Sequence, residues 1–101
     1  MRQHKYRYWY SGKMEEVGQI DFFENGTYRV NDELVGGVLM EFTGLKDKNG
    51  KEIYEGDILK GKFNGSVVWT GDRYNNGWSD YWNESEIIGN IYENKELLSS
   101  N

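Results

Sequence analysis

Residues 4–10 alternate aromatic with mostly basic side chains, and this two-residue period is typical of a β-strand. Tyrosines occupy every second position, while two bases and a tryptophan occupy the positions beside them. The two sets, which we expect on opposite faces of a first strand, are Tyr6, Tyr8 and Tyr10, and Lys5, Arg7 and Trp9. Ser11, Gly12 and Lys13 predict a turn after this strand.

Short segments rich in apolar, aromatic and β-branched residues recur along the rest of the chain and predict further antiparallel strands. They cover residues 16–23, 27–30, 38–42, 52–54, 58–63, 66–70 and 86–92. Asn-Gly pairs occur at residues 25–26, 49–50, 64–65 and 76–77, and this dipeptide favours a type I′ turn with positive φ at both residues. Residues 93–98 predict a helical turn or a docked tail, and residues 99–101 a frayed end.

Composition supports an all-β or nearly all-β fold. The 101 residues include 13 glycines and 16% aromatic residues but no alanine, which disfavours helices and favours strands. The length fits one domain. The stretch 31–37 is expected to separate an N-terminal hairpin layer, residues 1–35, from a barrel in residues 36–98.

Several classes of protein are disfavoured by the same composition. No apolar run approaches the roughly 18 residues that a membrane-spanning helix needs, and no apolar segment follows a basic start as in a secretory signal. We therefore expect a cytoplasmic protein without membrane contact. The chain has no cysteine, which excludes disulfides, thiolate metal sites and cysteine nucleophiles.

Side chains that carry catalysis are few and scattered. His4 is the only histidine, and a lone histidine near a chain end is usually solvated. No serine lies in a nucleophile-elbow pattern, no glycine-rich loop precedes Lys-Ser or Lys-Thr, and no run of carboxylates has the spacing of a calcium loop. We therefore expect no enzymatic activity, no catalytic residues, no cofactor and no metal site.

Aromatic residues are concentrated in one segment, residues 69–82, among glycines and asparagines. The members of this set are Trp69, Tyr74, Trp78, Tyr81 and Trp82. They either fill the core of a small, alanine-free barrel or form an exposed surface for a protein partner, since Trp and Tyr are favoured anchors at interfaces. Residues 69–86 hold four acids against one base, which disfavours nucleic acid as the ligand of these rings.

Charge is uneven along a chain whose net charge is −5. Residues 1–13 hold four bases and no acid, whereas residues 14–45 hold seven acids and one base. We expect the basic strand either to form salt bridges with an acidic neighbour or to bind a polyanion. In the second case the nucleic-acid contacts are Arg2, Lys5, Arg7, Trp9 and Lys13, with Tyr6 as a further stacking residue.

The centre of the chain carries a long ordered motif, FTGLKDKNGKEIYEGDI, at residues 42–58. Asn49-Gly50 is expected to close a hairpin between Leu45 and Ile53. Glu55 and Asp57 are interpreted as side chains that fix turns, because a carboxylate beside a glycine readily accepts backbone N–H bonds. A role for this acid pair in catalysis or cation binding is the alternative.

This motif closely resembles the central stretch of the YopX protein family, small proteins encoded by phages and prophages. The segment IIGNIYEN at residues 87–94, followed by Glu96-Leu97-Leu98, resembles the closing motif of that family, and Lys5–Trp9 with Lys13-Met14 resembles its opening strand and turn. The resemblance implies a β-rich fold whose C-terminal part is a small, SH3-like antiparallel β-barrel. It implies no catalytic residues.

Three functions follow from these observations as hypotheses. The first is a non-enzymatic module that binds a host or phage protein through residues 69–82, in one version as an inhibitor of a host defence or nucleic-acid enzyme. The second is a nucleic-acid-binding barrel that uses the basic N-terminal strand. The third is a structural protein that self-assembles into a homo-oligomer through exposed strand edges.

Overall fold

The computed structural model describes residues 5–99. Its strands are β1 (Tyr6–Tyr10), β2 (Lys13–Glu16), β3 (Ile20–Phe22), β4 (Tyr28–Val30), β5 (Val38–Lys46), β6 (Glu52–Tyr54), β7 (Asp57–Gly61), β8 (Gly65–Ser66) and β9 (Ser85–Asn90). A 3-10 helix covers Asn75–Glu84 between β8 and β9, and a short α-helix, α1, covers Glu96–Ser99. The predicted β-rich class is confirmed, since antiparallel sheets curl into a half-barrel.

The largest sheet has four strands in the order β2-β1-β5-β6. β1 is central to it, with Arg7 opposite Glu16 on β2 and opposite Met40 on β5. Ser11 and Gly12 join β1 to β2 with φ angles of 50° and 77°, the geometry of a type I′ turn. This confirms the turn that was predicted after the first strand.

A three-stranded sheet, in the order β8-β7-β9, forms the other wall, and β3 and β4 form a separate hairpin. The tip of the β5–β6 hairpin docks on the remaining edge of β9, where the backbone N–H of Lys48 donates to the Ser85 carbonyl at 2.9 Å. The hydrophobic core between these elements consists of Ile53, Leu59, Val67, Tyr74 and Trp82. The two larger sheets are therefore joined by both backbone hydrogen bonds and a shared core.

The two faces of β1 pack against different parts of the molecule, as the alternation in the sequence predicted. On one face, Tyr8 is fully buried, its ring meets Tyr28 of β4 edge-on at 6.3 Å, and its hydroxyl accepts a hydrogen bond from the Gly37 N–H at 2.7 Å. On the other face, the Trp9 ring stacks at 5.7 Å on Tyr92, which follows β9. β1 therefore forms a central layer between the β3–β4 hairpin and the C-terminal end of the chain.

The boundary expected near residue 35 runs through this four-stranded sheet. β1 and β2 come from residues 1–35, whereas β5 and β6 come from residues 36–98, and β1 is hydrogen-bonded to β5 along its length. Among residues 5–35, the β3–β4 hairpin alone forms a sheet of its own.

Three of the four Asn-Gly pairs lack the positive φ at asparagine that a type I′ turn requires. Gly26 and Gly50 have φ angles of 87° and 79°, but Asn25 and Asn49 are not in the positive-φ region. At 49–50, the Gly50 N–H donates to the Asp47 carbonyl and the Asp47 N–H to the Lys51 carbonyl, the pattern of a three-residue hairpin loop with a left-handed glycine. Only Asn76-Gly77 has positive φ at both residues, and it lies inside the 3-10 helix.

Two other predicted strands differ from the structure, since one is divided between two sheets and the other is shorter than predicted. Residues 16–23 contain the end of β2 and the whole of β3, separated at Val17–Gln19, because the chain leaves one sheet for another there. Of residues 66–70, Ser66 alone belongs to β8. Residues 96–99 form the predicted helical turn. The 3-10 helix within residues 75–84 was not predicted.

Candidate functional site

The five aromatic residues of segment 69–82 divide into a buried pair and an exposed set. Trp82 is fully buried and Tyr74 is nearly so. In contrast, 54% of Trp78, 45% of Trp69 and 39% of Tyr81 are accessible to solvent. Neither alternative predicted from the sequence therefore applies to the whole segment, since it contributes to the core and to the surface. We call Trp69, Trp78 and Tyr81 the exposed aromatic set.

The buried pair anchors this segment in the core. The Trp82 ring lies 5.6 Å from Tyr74 and 6.3 Å from Phe63, as measured between ring centroids. The Ser85 hydroxyl, also buried, donates to the Tyr81 carbonyl at 3.0 Å and accepts from the Phe63 N–H at 2.9 Å. These contacts hold the C-terminal half of the 3-10 helix in place.

The loop before the helix is fixed by side-chain hydrogen bonds to the backbone. The Asn75 side chain donates to the Ser66 carbonyl at 2.8 Å and accepts from the Val68 N–H at 3.2 Å. The Thr70 hydroxyl donates to the Arg73 carbonyl at 2.6 Å. Since Asn and Thr bond readily to nearby backbone, this local sequence favours an ordered loop over a continued strand.

The exposed rings pair with neighbours within the same segment. The Trp78 and Tyr81 rings lie 5.4 Å apart with an interplanar angle of 44°, and Trp69 meets Tyr74 edge-on at 4.8 Å. Asp80 and Glu84, both exposed, flank Tyr81 in the sequence. The exposed rings are therefore close in sequence to exposed carboxylates.

Two of the four bases in residues 1–13 form ion pairs within the fold. Lys5 Nζ lies 2.7 Å from Glu52 Oε2, and this hydrogen bond raises the pKa of Lys5. Arg7 Nη2 lies 2.8 Å from Asp57 Oδ1 and the guanidinium stacks 5.0 Å from the Tyr54 ring centre. The acids come from β6 and β7, which agrees with the prediction of salt bridges to an acidic neighbour.

The remaining predicted nucleic-acid residues are dispersed. Trp9 is half-buried against Tyr92, and Lys13 is exposed at the turn that begins β2. Arg2 lies outside the described residues. Three of the predicted nucleic-acid bases lie within residues 5–99, and of these Lys13 is the one that forms no ion pair there.

The Arg7–Asp57 pair is the most buried ion pair among the described residues. Burial raises the pKa of the Asp57 carboxyl, although Arg7 and the hydrogen bond from the Tyr54 N–H, at 2.8 Å, act in the opposite direction. Glu55 accepts the Glu41 N–H at 2.8 Å. The interpretation as a side chain that fixes a turn is confirmed for Asp57, which bonds the backbone three residues before it, whereas Glu55 bonds the backbone of β5 and not a turn.

Asp47 has a role that the sequence did not reveal. Its carboxylate is buried and accepts three backbone N–H bonds, from Asn49 at 2.9 Å, Lys51 at 2.9 Å and Ile87 at 3.0 Å. Burial alone would raise the pKa of Asp47, but these bonds together lower it. Aspartate is favoured at the first position of a turn, so the bonds from Asn49 and Lys51 could have been predicted from the sequence. The bond from Ile87 could not, because no local sequence feature indicates it.

Residues 5–99 contain no cluster of three or more histidine, aspartate or glutamate side chains that is placed to hold a metal ion. No helix in this range is both long and apolar enough to span a membrane.

Comparison with known proteins places the chain in a family. The crystal structure of protein EF1440 from Enterococcus faecalis is similar to it, with a TM-score of 0.68 and 28% sequence identity over 97% of this chain and 99% of that chain. No curated protein matches the chain. The family model described as YopX protein matches residues 2–99, which shows that this protein belongs to the YopX family.

Proposed function

We propose that this protein is a non-enzymatic protein-binding module whose contact surface is the exposed aromatic set. The observation that carries the proposal is that Trp78 and Tyr81 are exposed on the same short helix in which Trp82 is fully buried. Large exposed aromatic residues are favoured anchors at interfaces. Because the buried residues hold the helix rigidly, a partner loses little binding free energy in ordering it.

The proposed partner is a host or phage protein with a basic contact surface, in the cytoplasm of a bacterial host. The phage and prophage setting comes from the resemblance to the family. The basic surface is suggested by the net charge of −5 and by the exposed acids Asp72, Asp80 and Glu84 around the aromatic set. Inhibition of a host defence or nucleic-acid enzyme is one form of this function, in which the acidic surface takes the place of a phosphate backbone.

Nucleic-acid binding through the basic strand has less support. Lys5 and Arg7 are already paired with Glu52 and Asp57, and a phosphate must compete with those carboxylates. A gel-shift assay at low salt with single- and double-stranded DNA and RNA tests this alternative. A shift that weakens steeply as salt is added would support it, because phosphate contacts release counterions.

Self-assembly is favoured by one feature of the largest sheet. β2 is at its edge, with β1 as its hydrogen-bonded neighbour, and open edges can pair with another chain. Size exclusion with light scattering distinguishes this role from the proposed one. A monomer at high concentration excludes it.

Affinity capture from bacterial lysate tests the proposed function. We expect the wild-type protein to enrich a specific partner that Trp78→Ala and Tyr81→Ala fail to enrich. Phe22→Ala is the matched control, since Phe22 is 72% exposed on β3, outside this segment. Trp82→Ala is unsuitable as a surface variant because Trp82 is buried. Equal capture by wild type, Trp78→Ala and Tyr81→Ala would contradict the proposal.

A further inference from the structure

The C-terminal part of the 3-10 helix aligns Trp78, Tyr81 and Glu84 in one exposed row. A 3-10 helix has three residues per turn, so side chains three positions apart are eclipsed. These three residues are all exposed, whereas Trp82 on a neighbouring row is fully buried. We call these residues the exposed row. It combines two aromatic rings that lie 5.4 Å apart with a carboxylate on the same row of the helix.

The same chemical grouping binds an arginine in the interior of this protein. The Arg7 guanidinium lies over the Tyr54 ring at 5.0 Å and forms an ion pair with Asp57 at 2.8 Å. A guanidinium suits such a site because it is planar, stacks on aromatic faces and offers paired N–H donors to a carboxylate.

A second example occurs at the β3–β4 hairpin. Arg29 lies over the Phe23 ring at 5.4 Å and pairs with Asp21 at 3.1 Å. In this fold, an aromatic ring with a nearby carboxylate is thus occupied by an arginine at two separate places.

A lysine occupies a third grouping of this kind. Lys5 Nζ lies 5.5 Å from the centre of the Phe42 ring and pairs with Glu52 at 2.7 Å. The groupings in this fold therefore bind cations of both kinds, and the preference for arginine at the exposed row rests on the chemistry of the guanidinium.

The exposed row has the ring and the carboxylate but no cation from the described part of the chain. Glu84 forms no ion pair with residues 5–99, and no cation from that range lies over the Trp78 or Tyr81 ring. Arg73, the one base in residues 69–86, lies against Gly77 and 3.9 Å from Asp72, and it forms no cation–π contact with the Trp78 or Tyr81 ring. The grouping is therefore available to a cation from another molecule.

We propose that the exposed row is a recognition site for an arginine side chain of a partner protein, which stacks on Trp78 and Tyr81 and pairs with Glu84. This inference rests on the proposed protein-binding function and specifies the chemistry of its partner. Lysine is the weaker ligand, because its ammonium group has neither the planar face nor the forked donors of a guanidinium.

Peptide binding tests this assignment directly. Fluorescence anisotropy compares labelled eight-residue oligoarginine and oligolysine peptides, which carry the same charge, on the full-length protein. We expect oligoarginine to bind about five- to tenfold more tightly, as stacking and bidentate pairing predict. Equal affinity for the two peptides would show simple attraction to an acidic protein and overturn the proposal.

Matched variants locate the binding on the surface. Glu84→Gln and Trp78→Ala should each weaken oligoarginine binding by about fivefold or more, while Glu33→Gln, with the same charge change at another exposed position, should leave it nearly unchanged. A loss in Glu33→Gln as large as that in Glu84→Gln would also overturn the proposal. Circular dichroism of each variant confirms that it is folded.

The experiments distinguish a failure of this inference from a failure of the proposed function. If a partner is captured through Trp78, but oligoarginine does not compete with it and Glu84→Gln still captures it fully, the arginine site is wrong and the module remains. If no partner depends on Trp78 or Tyr81, the proposed function itself is wrong.

Discussion

The carboxylate of Asp47 accepts a hydrogen bond at 3.0 Å from the backbone N–H of Ile87, 40 residues further along the chain. The same carboxylate accepts N–H bonds from Asn49 and Lys51 in its own hairpin. One side chain thus closes the β5–β6 hairpin and ties it to β9. Since β9 begins where the 3-10 helix ends, this bond also supports the element that carries the exposed row.

Replacing Asp47 by asparagine should destabilise the fold. The amide retains one acceptor oxygen, so at least one part-buried backbone N–H loses its charged acceptor, at a cost of about 1–3 kcal/mol in the free energy of unfolding. Urea denaturation measures this loss. Asp72→Asn, with the same chemical change at an exposed position, should have almost no effect. Equal stability of Asp47→Asn and wild type would contradict the structural role.

The contribution of Asp47 should depend on pH in a defined direction. Its pKa is lowered from the ordinary value of 3.8, so the folded state binds fewer protons than the unfolded state. The stabilisation is therefore complete above pH 3.8 and is lost as the pH falls through the folded-state pKa. We expect the difference in stability between wild type and Asp47→Asn to shrink between pH 6 and pH 2. A difference that stays constant over this range would be inconsistent with ionised Asp47 as the acceptor.

The stability effects of replacing Arg7 and Asp57 should be strongly coupled, because the two side chains form an ion pair. Asp57→Asn leaves the Arg7 guanidinium largely buried without its counter-ion, which should cost about 3 kcal/mol at neutral pH. Adding Arg7→Met to Asp57→Asn should recover part of that loss, since the unpaired charge is then removed. Denaturation of the two single variants and the double variant gives the coupling energy, and additive losses would show that the ion pair contributes no coupling.

Replacing Gly50 should destabilise the fold through backbone strain alone. Its φ is 79°, and no heavy atom lies within 4 Å of the position that a Cβ atom would occupy. Gly50→Val should therefore lower the free energy of unfolding by about 1–3 kcal/mol through strain, and Gly50→Asn by less, because asparagine tolerates this region. Thermal melting checks the order. If Gly50→Val melts like wild type but loses partner binding, the turn is a contact site.

Replacing Trp82 should destabilise the fold strongly, whereas replacing Trp78, only four residues away, should have little effect on stability. Trp82→Ala removes a fully buried side chain and should cost about 3–5 kcal/mol, much of the 5–15 kcal/mol available to a small domain. Trp78→Ala should change stability by no more than about 0.5 kcal/mol, as is usual at an exposed site. Thermal melts of the two variants make the comparison. A large loss in Trp78→Ala would show that Trp78 supports the fold.

Local features of this fold were predictable from the sequence. The alternation of Tyr6, Tyr8 and Tyr10 defines the faces of β1, and Ser11-Gly12 suits a tight turn. In contrast, the pairing of β1 with β5 and the bond from Ile87 to Asp47 depend on contacts between distant parts of the chain, which no local pattern encodes. The backbone conformation of Asn49 was predicted wrongly, because an Asn-Gly pair is compatible with more than one type of hairpin loop.

The candidate site was predictable in position but not in its division between core and surface. The density of aromatic residues in segment 69–82 identified the segment. Within residues 75–84, the three-residue period of the 3-10 helix separates the exposed Trp78 and Tyr81 from the buried Trp82, and this helix was not predicted. With a period of three, Trp78, Tyr81 and Glu84 fall on one row, and Trp82 on another.

Site-specific photo-cross-linking in living cells is the most direct test of the claim that this protein binds a partner through its 3-10 helix. A benzophenone amino acid placed at Trp78 or at Tyr81 should give the same discrete adduct with one protein. The same probe at Phe22, which is exposed outside this segment, should not give that adduct. No adduct from Trp78 and Tyr81, or the same adduct from Phe22, would contradict the account.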